Sequence, residues 1–419
     1  MMEAPGLPPF MTDRNAARED RTHRIQQAVQ QLYDAYPFPP EPLLDEPPPG
    51  YNWRWSWVAA HSFCSGRKPQ RQAIRILDAG CGTGVGSEYL AHLNPQAQVL
   101  GIDISERALA IARQRCHRSG AENATFQALP LGRAAELAGP FDFINCVGVL
   151  HHLPDPAAGL QALAAQLAPG GLLHAFVYAE LGRWEIGLAR EAIALLQGDR
   201  QDYREGLELG RQLFATLPED NRLAQRERER WSLDNQRDAC FADMYLHPQA
   251  IEYTIETLFE LIDRSGLRFA GFSNPGVWQL ERLVGQASAL LERGRSLPER
   301  QRYRLIELLD PDIAHYEFFL AQPPLPDCDW ADAAELLAAV PERHPCLEGW
   351  PSQTLFDRDY QLVRLNDAEY AFLRACEANP ERGATVADLL AETELDAAGV
   401  RSLLERHLLV LSPGNGGAP

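Results

Sequence analysis

The 419-residue chain is long for one domain, and its 45% apolar content is sufficient for packed cores. Its formal charge of −19 disfavours nucleic acid as a partner, because a surface that holds phosphates is ordinarily basic. The eight cysteines form no Cys-x-x-Cys pair, so we expect no metal framework. No run of about 18 apolar residues occurs, so we expect no membrane span. The sequence shows no secretory leader either, and we expect a cytoplasmic protein.

The first 70 residues predict a lead, a helix and a strap rather than a domain. Residues 1–20 have mixed polarity and predict a disordered lead, and apolar residues at 25, 29, 32 and 33 predict an amphipathic helix within 21–36. Seven prolines between residues 37 and 49 predict an extended segment lying over a surface. The aromatic residues of 51–57 are interpreted in three ways: as the lining of an acceptor pocket, as a lid, or as a strap closing the edge of the core.

A strand, a tight turn and a helix are predicted between residues 74 and 93. The turn has the sequence DAGCGTG at 78–84. Glycine permits the sharp reversal and lets a ligand approach the backbone. A dinucleotide-binding loop of the Gly-x-Gly-x-x-Gly type would need glycine at position 85, where the chain has Val85. This difference disfavours a nicotinamide-dependent oxidoreductase.

A second apolar run, 99–102, ends in Asp103. A carboxylate at the tip of the second strand can accept hydrogen bonds from both hydroxyls of a ribose. In these two motifs the chain resembles the class I S-adenosylmethionine-dependent methyltransferases. The resemblance implies that S-adenosylmethionine is the cofactor, that Gly80, Gly82 and Gly84 wrap its methionine part, and that Asp78 lies close to its ammonium.

The strand–helix alternation continues with a helix at 106–119 and strands at 125–128, 141–147 and 172–178. Many relatives carry an acid after the third strand that bonds the adenine amine. This chain has Gln127 near that position, so Gln127 or a backbone group is expected to supply the contact. The cofactor-binding residues that we expect are Asp78, Gly80, Cys81, Gly82, Gly84, Asp103, Ile104, Gln127 and Cys146.

The segment after the fourth strand contains the candidate acid–base groups. It reads GVLHHLP at 148–154, resembles the fourth motif of the same family, and lies where a parallel sheet reverses its strand order. Methyl transfer from a sulfonium is an in-line displacement, and it needs a base only if the acceptor must lose a proton. His151 and His152 are the first candidates, although at least one of them is expected to serve packing. Tyr178 and Glu180, at the tip of the fifth strand, are weaker candidates.

The remaining sequence predicts a helical insertion and a second unit. Residues 181–246 are charged and helical in pattern, and apolar runs at 267–272 and 315–320 predict the last two strands. The fold class is therefore α/β, a Rossmann-like seven-stranded methyltransferase sheet with helical insertions over 71–323. After a proline-rich linker, residues 327–419 predict an acidic α+β module that resembles a winged helix or a peptide-docking module.

These features together predict an S-adenosylmethionine-dependent methyltransferase with a protein or peptide side chain as its acceptor. A separate acidic module would serve a protein substrate by raising its effective concentration. The long architecture is also similar to methyltransferases that modify an asparagine side chain of light-harvesting antenna proteins. A small-molecule methyltransferase is one alternative, and a non-catalytic S-adenosylmethionine-binding protein, which would bind the cofactor tightly without turnover, is another.

Overall fold

A seven-stranded sheet forms the centre of the molecule. The computed structural model describes residues 9–198, 202–286, 288–378 and 383–414. The strands are β1 (Arg75–Ala79), β2 (Gln98–Asp103), β3 (Ala124–Ala128), β4 (Phe141–Val147), β5 (Leu167–Tyr178), β6 (Arg268–Phe272) and β7 (His315–Ala321). Their order is β3-β2-β1-β4-β5-β7-β6, with β7 antiparallel to both neighbours and the other pairs parallel. The predicted Rossmann-like sheet is confirmed.

Helices and apolar clusters cover both faces of this sheet. On β4, Phe143 belongs to one buried cluster and Ile144 to the other, because successive strand residues point to opposite faces. The helices up to the last strand are α1 (Pro9–Ala35), α2 (Trp57–Ser65), α3 (Val85–Leu93), α4 (Glu106–Ser119), α5 (Pro156–Ala164), α6 (Glu180–Gln197), α7 (Tyr203–Thr216), α8 (Arg222–Arg226), α9 (Asp238–Tyr245), α10 (Ile255–Asp263), α11 (Glu281–Val284), α12 (Ser288–Arg295) and α13 (Glu299–Leu309). None of the described helices combines the length and apolarity that crossing a bilayer requires.

The N-terminal segment differs from its prediction. Helix α1 begins at Pro9 and therefore includes part of the segment predicted as a disordered lead, whose residues 1–8 lie outside the described residues. The aromatic segment is a 3₁₀ turn (Trp53–Trp55) followed by α2, so its side chains do not alternate as in a strand. Trp53 and Trp57 are buried in the core. The segment is thus chiefly a strap over the core edge.

The insertion packs on α1 and ends later than predicted. Helices α6, α7 and α9 enclose an apolar cluster that includes Leu32 of α1, Ile193 of α6 and Phe241 of α9. The insertion is predicted to end at residue 246, but the next helix, α10, begins only at Ile255, where Thr254 caps it through a hydrogen bond from Thr257 N–H. The extended stretch before it runs past the end of β5. The insertion therefore reaches the carboxyl edge of the sheet.

The C-terminal module is α+β, as predicted. It consists of α14 (Ala333–Ala338), β8 (Val340–Arg343), β9 (Thr354–Phe356), β10 (Leu362–Arg364), α15 (Asp367–Ala378), α16 (Val386–Glu392), α17 (Ala397–Glu405) and β11 (Leu409–Ser412). Strands β8 and β11 form one antiparallel pair and β9 and β10 another. The helices and strands share a separate apolar core. The likeness to a winged helix stays a prediction.

This module is held against the aromatic strap. Tyr360 stacks on Tyr51 with ring centroids 4.6 Å apart, and Trp53 Nε1–H donates to Asp359 Oδ1 at 2.9 Å. The Arg358 guanidinium lies 4.1 Å from the centre of the Trp53 ring. The module and the strap therefore form a continuous packed surface.

Candidate active site

A cavity of about 390 Å³ lies beside the carboxyl ends of β1, β2 and β4. The strand order of the sheet reverses between β1 and β4, and a ligand crevice is expected at such a point. Helix α1, the proline-rich segment, the strap and α9 contribute to the cavity wall. Segments far apart in sequence therefore enclose one site.

Gly80 and Gly82 line the cavity and have φ angles of 79° and 51°. A Cβ on Gly80 would lie 2.3 Å from Val149 Cγ2, and a Cβ on Gly82 would lie 2.3 Å from Phe38 O. The proline-rich segment is bonded to the turn through Thr83 N–H, which donates to Phe38 O at 3.1 Å. Glycine is thus required because the chain's own segments pack closely around the turn.

The structure assigns Gly84 a different place and adds a glycine that the sequence analysis did not select. Gly84 is not part of the cavity wall, and a Cβ there would lie 2.6 Å from Ala112 Cβ, so this glycine serves the packing of α3 on α4. Gly86 lines the cavity, and a Cβ there would approach Asp78 Oδ2 to 3.2 Å. No spacing rule pointed to Gly86.

The other predicted cofactor residues divide into two groups. Cys81 and Ile104 line the cavity with Asp78 and Asp103. Cys146 is fully buried in the apolar core and lies outside the wall, as does the exposed Gln127. The wall next to Gln127 is formed by Leu129, Pro130 and Leu131, and the wall next to Cys146 is formed by Asn145 and Val147.

Asp78 is buried at the end of β1 between two donors. Ser87 Oγ–H donates to its Oδ2 at 2.6 Å, and Asn145 Nδ2–H donates to its Oδ1 at 2.8 Å. Burial raises the pKa of Asp78, and these two hydrogen bonds oppose the rise. Trp55 completes this corner by donating from Nε1 to Asn145 Oδ1 at 3.0 Å. A ligand cation would compensate the buried charge.

Asp103 is held by backbone N–H groups at the tip of β2. Gly82 N–H donates to its Oδ2 at 2.9 Å, and Ser105 N–H donates to its Oδ1 at 2.8 Å. Burial raises the pKa of Asp103, and the hydrogen bonds from Ser105 and Gly82 oppose the rise. Each carboxylate oxygen keeps a lone pair, so the side chain can accept from two further hydroxyls.

A second polar group of residues lies on the wall formed by α1, β5 and α9. Tyr33 OH donates to Asp243 Oδ1 at 2.9 Å, and Tyr178 OH lies 3.4 Å from Asp243 Oδ2. Burial raises the pKa of Asp243, and the hydrogen bond from Tyr33 opposes the rise. Sequence reasoning selected Tyr178 but missed Tyr33 and Asp243, because no local motif links α1 with the insertion.

The two predicted histidines have different surroundings. His151 is fully buried outside the cavity wall, and neither of its ring nitrogens has a hydrogen-bond partner among the described residues. His152 lines the cavity, and its Nδ1 lies 2.7 Å from Gln249 O, so Nδ1 carries the proton and Nε2 has a free lone pair. Burial lowers the pKa of His152 to about 3. His152 is consequently neutral near pH 7, and a weak base.

His152, Asp243 and His247 could each offer one ligand atom to a cation, and these atoms lie within 4.8 Å of one another. Two features of the geometry disfavour a metal. The two imidazole rings stack at 3.6 Å with an angle of 22°, so their in-plane lone pairs do not converge. Gln249 N–H donates to His247 Nδ1 at 3.1 Å, which leaves the proton of the neutral ring on Nε2.

Known proteins share the core of this chain and, in one case, almost its whole length. Residues 77–173 match the family model described as "Methyltransferase domain". A protein of Synechococcus sp. (strain ATCC 27144 / PCC 6301 / SAUG 1402/1) named "Uncharacterized protein syc1184_c" is 58% identical over 391 residues, which are 93% of this chain and 94% of that protein. The shared architecture thus includes the insertion and the C-terminal module.

Two further relatives match shorter regions. The "Uncharacterized phycocyanin operon protein W" of Pseudanabaena tenuis (strain PCC 7409) is 71% identical over 92 residues, or 22% of this chain and 87% of that protein. A "Ubiquinone biosynthesis O-methyltransferase" of Aromatoleum aromaticum (strain DSM 19018 / LMG 30748 / EbN1) is 34% identical over 159 residues, or 36% of this chain and 62% of that protein.

A solved structure has the same fold as this chain. The structure of PKMT2 from Rickettsia typhi in complex with AdoHcy aligns with 89% of this chain and 77% of its own, with a TM-score of 0.57 at 16% sequence identity.

Proposed function

This chain belongs to the class I S-adenosylmethionine-dependent methyltransferases, and we propose that it methylates a protein side chain with Asp243 as the proton acceptor. S-adenosylmethionine is the cofactor. In our proposal its ribose hydroxyls bind Asp103 and its ammonium lies at Asp78, as the family resemblance implies. The cavity continues from these residues to Tyr178 and Asp243, so we assign this far wall to the acceptor.

The observation that carries the catalytic part of the proposal is the buried carboxylate of Asp243 between two phenols. In the displacement, the acceptor atom forms a bond to the methyl carbon while the carbon–sulfur bond breaks and the sulfur leaves as a neutral thioether. The acceptor's proton passes to Asp243, whose raised pKa suits this transfer. Tyr33 and Tyr178 hold the carboxylate in place, and alignment of the reactants supplies roughly 7–11 kcal/mol of the rate gain.

The predicted histidines receive lesser roles in this proposal. His152 is too weak a base near pH 7, because burial lowers its pKa to about 3, but its free Nε2 can accept a hydrogen bond from the acceptor. His151 packs beneath the cavity, with its ring centre 3.8 Å from that of Tyr178. We therefore assign the role of general base to Asp243 and not to His151 or His152.

An exposed apolar face on α6 supports a protein as the acceptor. Trp184, Leu188 and Leu195 lie on one side of this helix and are 48%, 39% and 76% exposed. Helix α6 follows Tyr178 of the cavity wall directly. Apolar patches of this kind commonly mark interaction sites. The C-terminal module adds a second apolar edge at Phe356 and Leu362, which is consistent with the predicted capture of a peptide or protein.

We propose a side-chain amide of a light-harvesting antenna protein as the acceptor. This choice is supported by the similarity to antenna-protein asparagine methyltransferases and by the Pseudanabaena relative, which is named for a phycocyanin operon. The nitrogen of an amide is a poor nucleophile, since its lone pair is delocalised into the carbonyl. A carboxylate that accepts the N–H hydrogen, as Asp243 could, would make that lone pair more available.

A small-molecule acceptor is the second candidate. The relatives named ubiquinone biosynthesis O-methyltransferases favour it, and a phenol could donate its proton to Asp243 in the same way. Their likeness covers 36% of this chain and does not account for its remaining length.

Methyl labelling separates the two candidates. We expect the purified full-length chain and S-[methyl-³H]adenosylmethionine, added to a lysate of a strain that lacks this gene, to transfer label to phycocyanin. A lysate of the parent strain, whose phycocyanin is already methylated in our proposal, is the matched control and should accept little label. Label confined to the small-molecule fraction of the lysate would contradict a protein acceptor, and absence of transfer to any fraction would contradict the catalytic role.

A further inference from the structure

A buried chain of hydrogen bonds continues behind Asp78, beyond the cavity. Asn145 donates to Asp78 and accepts from Trp55 Nε1 through its Oδ1. His174 of β5 is fully buried, with Nδ1 2.9 Å from Asn145 Oδ1 and Nε2 3.1 Å from Glu317 Oε1. The mechanism proposed above uses neither His174 nor Glu317.

Two neighbours of fixed polarity determine how the Asn145 amide is turned. The Trp55 indole N–H can only donate, and an ionised Asp78 can only accept. The oxygen of the amide therefore faces Trp55, and its nitrogen faces Asp78. Turning the amide by 180° would break both hydrogen bonds at once.

His174 consequently faces an oxygen acceptor at each ring nitrogen. Glu317 has two partners that are independent of His174, because Arg54 Nε lies 2.8 Å from its Oε2 and Ser273 Oγ–H donates to the same oxygen at 2.8 Å. Glu317 therefore faces His174 as an ionised acceptor. Nδ1 must donate to Asn145 and Nε2 to Glu317, and only the doubly protonated imidazolium can do both.

We propose that His174 is a positioning residue for the cofactor: as a buried imidazolium paired with Glu317, it donates a further hydrogen bond to the Asn145 amide and thereby helps to hold Asp78 and Trp55 in place. A neutral ring has one proton for two acceptors, so one of the two contacts is lost and the amide is held by Trp55 and Asp78 alone. The proposal rests on the placement of the cofactor's ammonium at Asp78 made above.

The charged groups around His174 are Glu317 on β7, Asp78 on β1, which it reaches through Asn145, and Arg54 on the strap. Arg54 Nε lies 2.8 Å from Glu317 Oε2, and its Nη2 lies 3.9 Å from Asp359 of the C-terminal module. The His174 ring also has an apolar neighbour, Phe319, whose ring centre lies 4.9 Å from its own. The module therefore helps to hold the carboxylate that pairs with His174.

The test combines the protonation of the His174 ring, read by ¹⁵N NMR, with AdoHcy affinity in Glu317→Gln. We expect both ring nitrogens of His174 to carry a proton in the wild-type chain, because each of them faces an oxygen acceptor. Glutamine can still accept the hydrogen bond of Nε2–H but has no charge to pair with the imidazolium, so we expect the variant to bind AdoHcy about tenfold more weakly. The matched control is Glu307→Gln, a buried carboxylate that accepts from Ile255 N–H and Tyr316 OH without contacting His174 or Asn145. Its AdoHcy affinity should equal that of the wild type.

A second variant keeps the test decisive if Glu317→Gln does not fold. His174→Gln can donate to only one of the two oxygens at a time, so we expect weaker AdoHcy binding. A singly protonated His174 ring in the wild-type chain, or wild-type affinity in either folded variant, would overturn the inference. Failure of the wild-type chain to bind AdoHcy would instead overturn the cofactor placement on which the inference rests.

Discussion

Asp243→Asn should lower kcat by about 10²–10⁴-fold while AdoHcy affinity stays near the wild-type value. The amide keeps the size of the carboxylate and can still accept from Tyr33, but it cannot take up the acceptor's proton. Binding should be retained because Asp243 lies on the opposite wall from Asp78 and Asp103 in our placement. Steady-state turnover with the methyl acceptor and calorimetry with AdoHcy measure the two quantities separately.

The pH dependence of kcat should also differ between the wild type and Asp243→Asn. Asp243 acts when ionised, so wild-type kcat should fall as the pH drops through the raised pKa of Asp243 and level off above it. The variant should lack this limb. Asp238→Asn on the same helix is the matched control, because Asp238 is exposed and paired with Arg211. Wild-type turnover in Asp243→Asn would remove Asp243 from catalysis and leave alignment alone.

Gly82→Ala should weaken AdoHcy binding by at least about tenfold, through two costs. The left-handed backbone at φ 51° costs an L-residue roughly 1–2 kcal/mol. The added Cβ would also lie 2.3 Å from Phe38 O and push the proline-rich segment away from the turn that it covers. The sequence predicts that glycine in this turn leaves room for a ligand, but at Gly82 an added Cβ points at the covering segment instead.

Gly120→Ala separates these two costs. Gly120 has a φ of 79° at the end of α4, and a Cβ there would meet no atom within 4 Å. This variant should lose stability to urea by about 1 kcal/mol and bind AdoHcy like the wild type. Equal AdoHcy affinities in Gly82→Ala and Gly120→Ala would show that contact with the proline-rich segment does not matter for binding.

The sheet could be predicted because its signals are local. Apolar runs, the glycine turn and the caps of α4 each lie within a few residues, and the predicted helix 106–119 coincides with the observed one. The strap was harder, because four aromatic residues in seven fit both an alternating strand and the observed turn followed by α2. Their burial against the C-terminal module is a tertiary contact that no short window contains.

The acceptor wall could not be predicted for the same reason. Helix α1 and the insertion meet beside β5 through packing around Leu32 and Phe241, and only this packing brings Tyr33 to Asp243. The histidine pair looked like the base because it follows the fourth strand, but sequence does not show burial, and burial lowers the pKa of His152 to about 3. An asparagine within the apolar strand β4 was the one available signal for Asn145.

Calorimetric titration of AdoHcy into wild-type, Asp103→Ala and Asp243→Asn chains tests the cofactor placement most directly. We expect one site per chain, an affinity loss in Asp103→Ala worth roughly 1.5–3 kcal/mol from the missing ribose contacts, and near wild-type affinity in Asp243→Asn. Unchanged affinity in Asp103→Ala, or an equal loss in both variants, would contradict a cofactor that binds at Asp103 and presents its methyl group to Asp243.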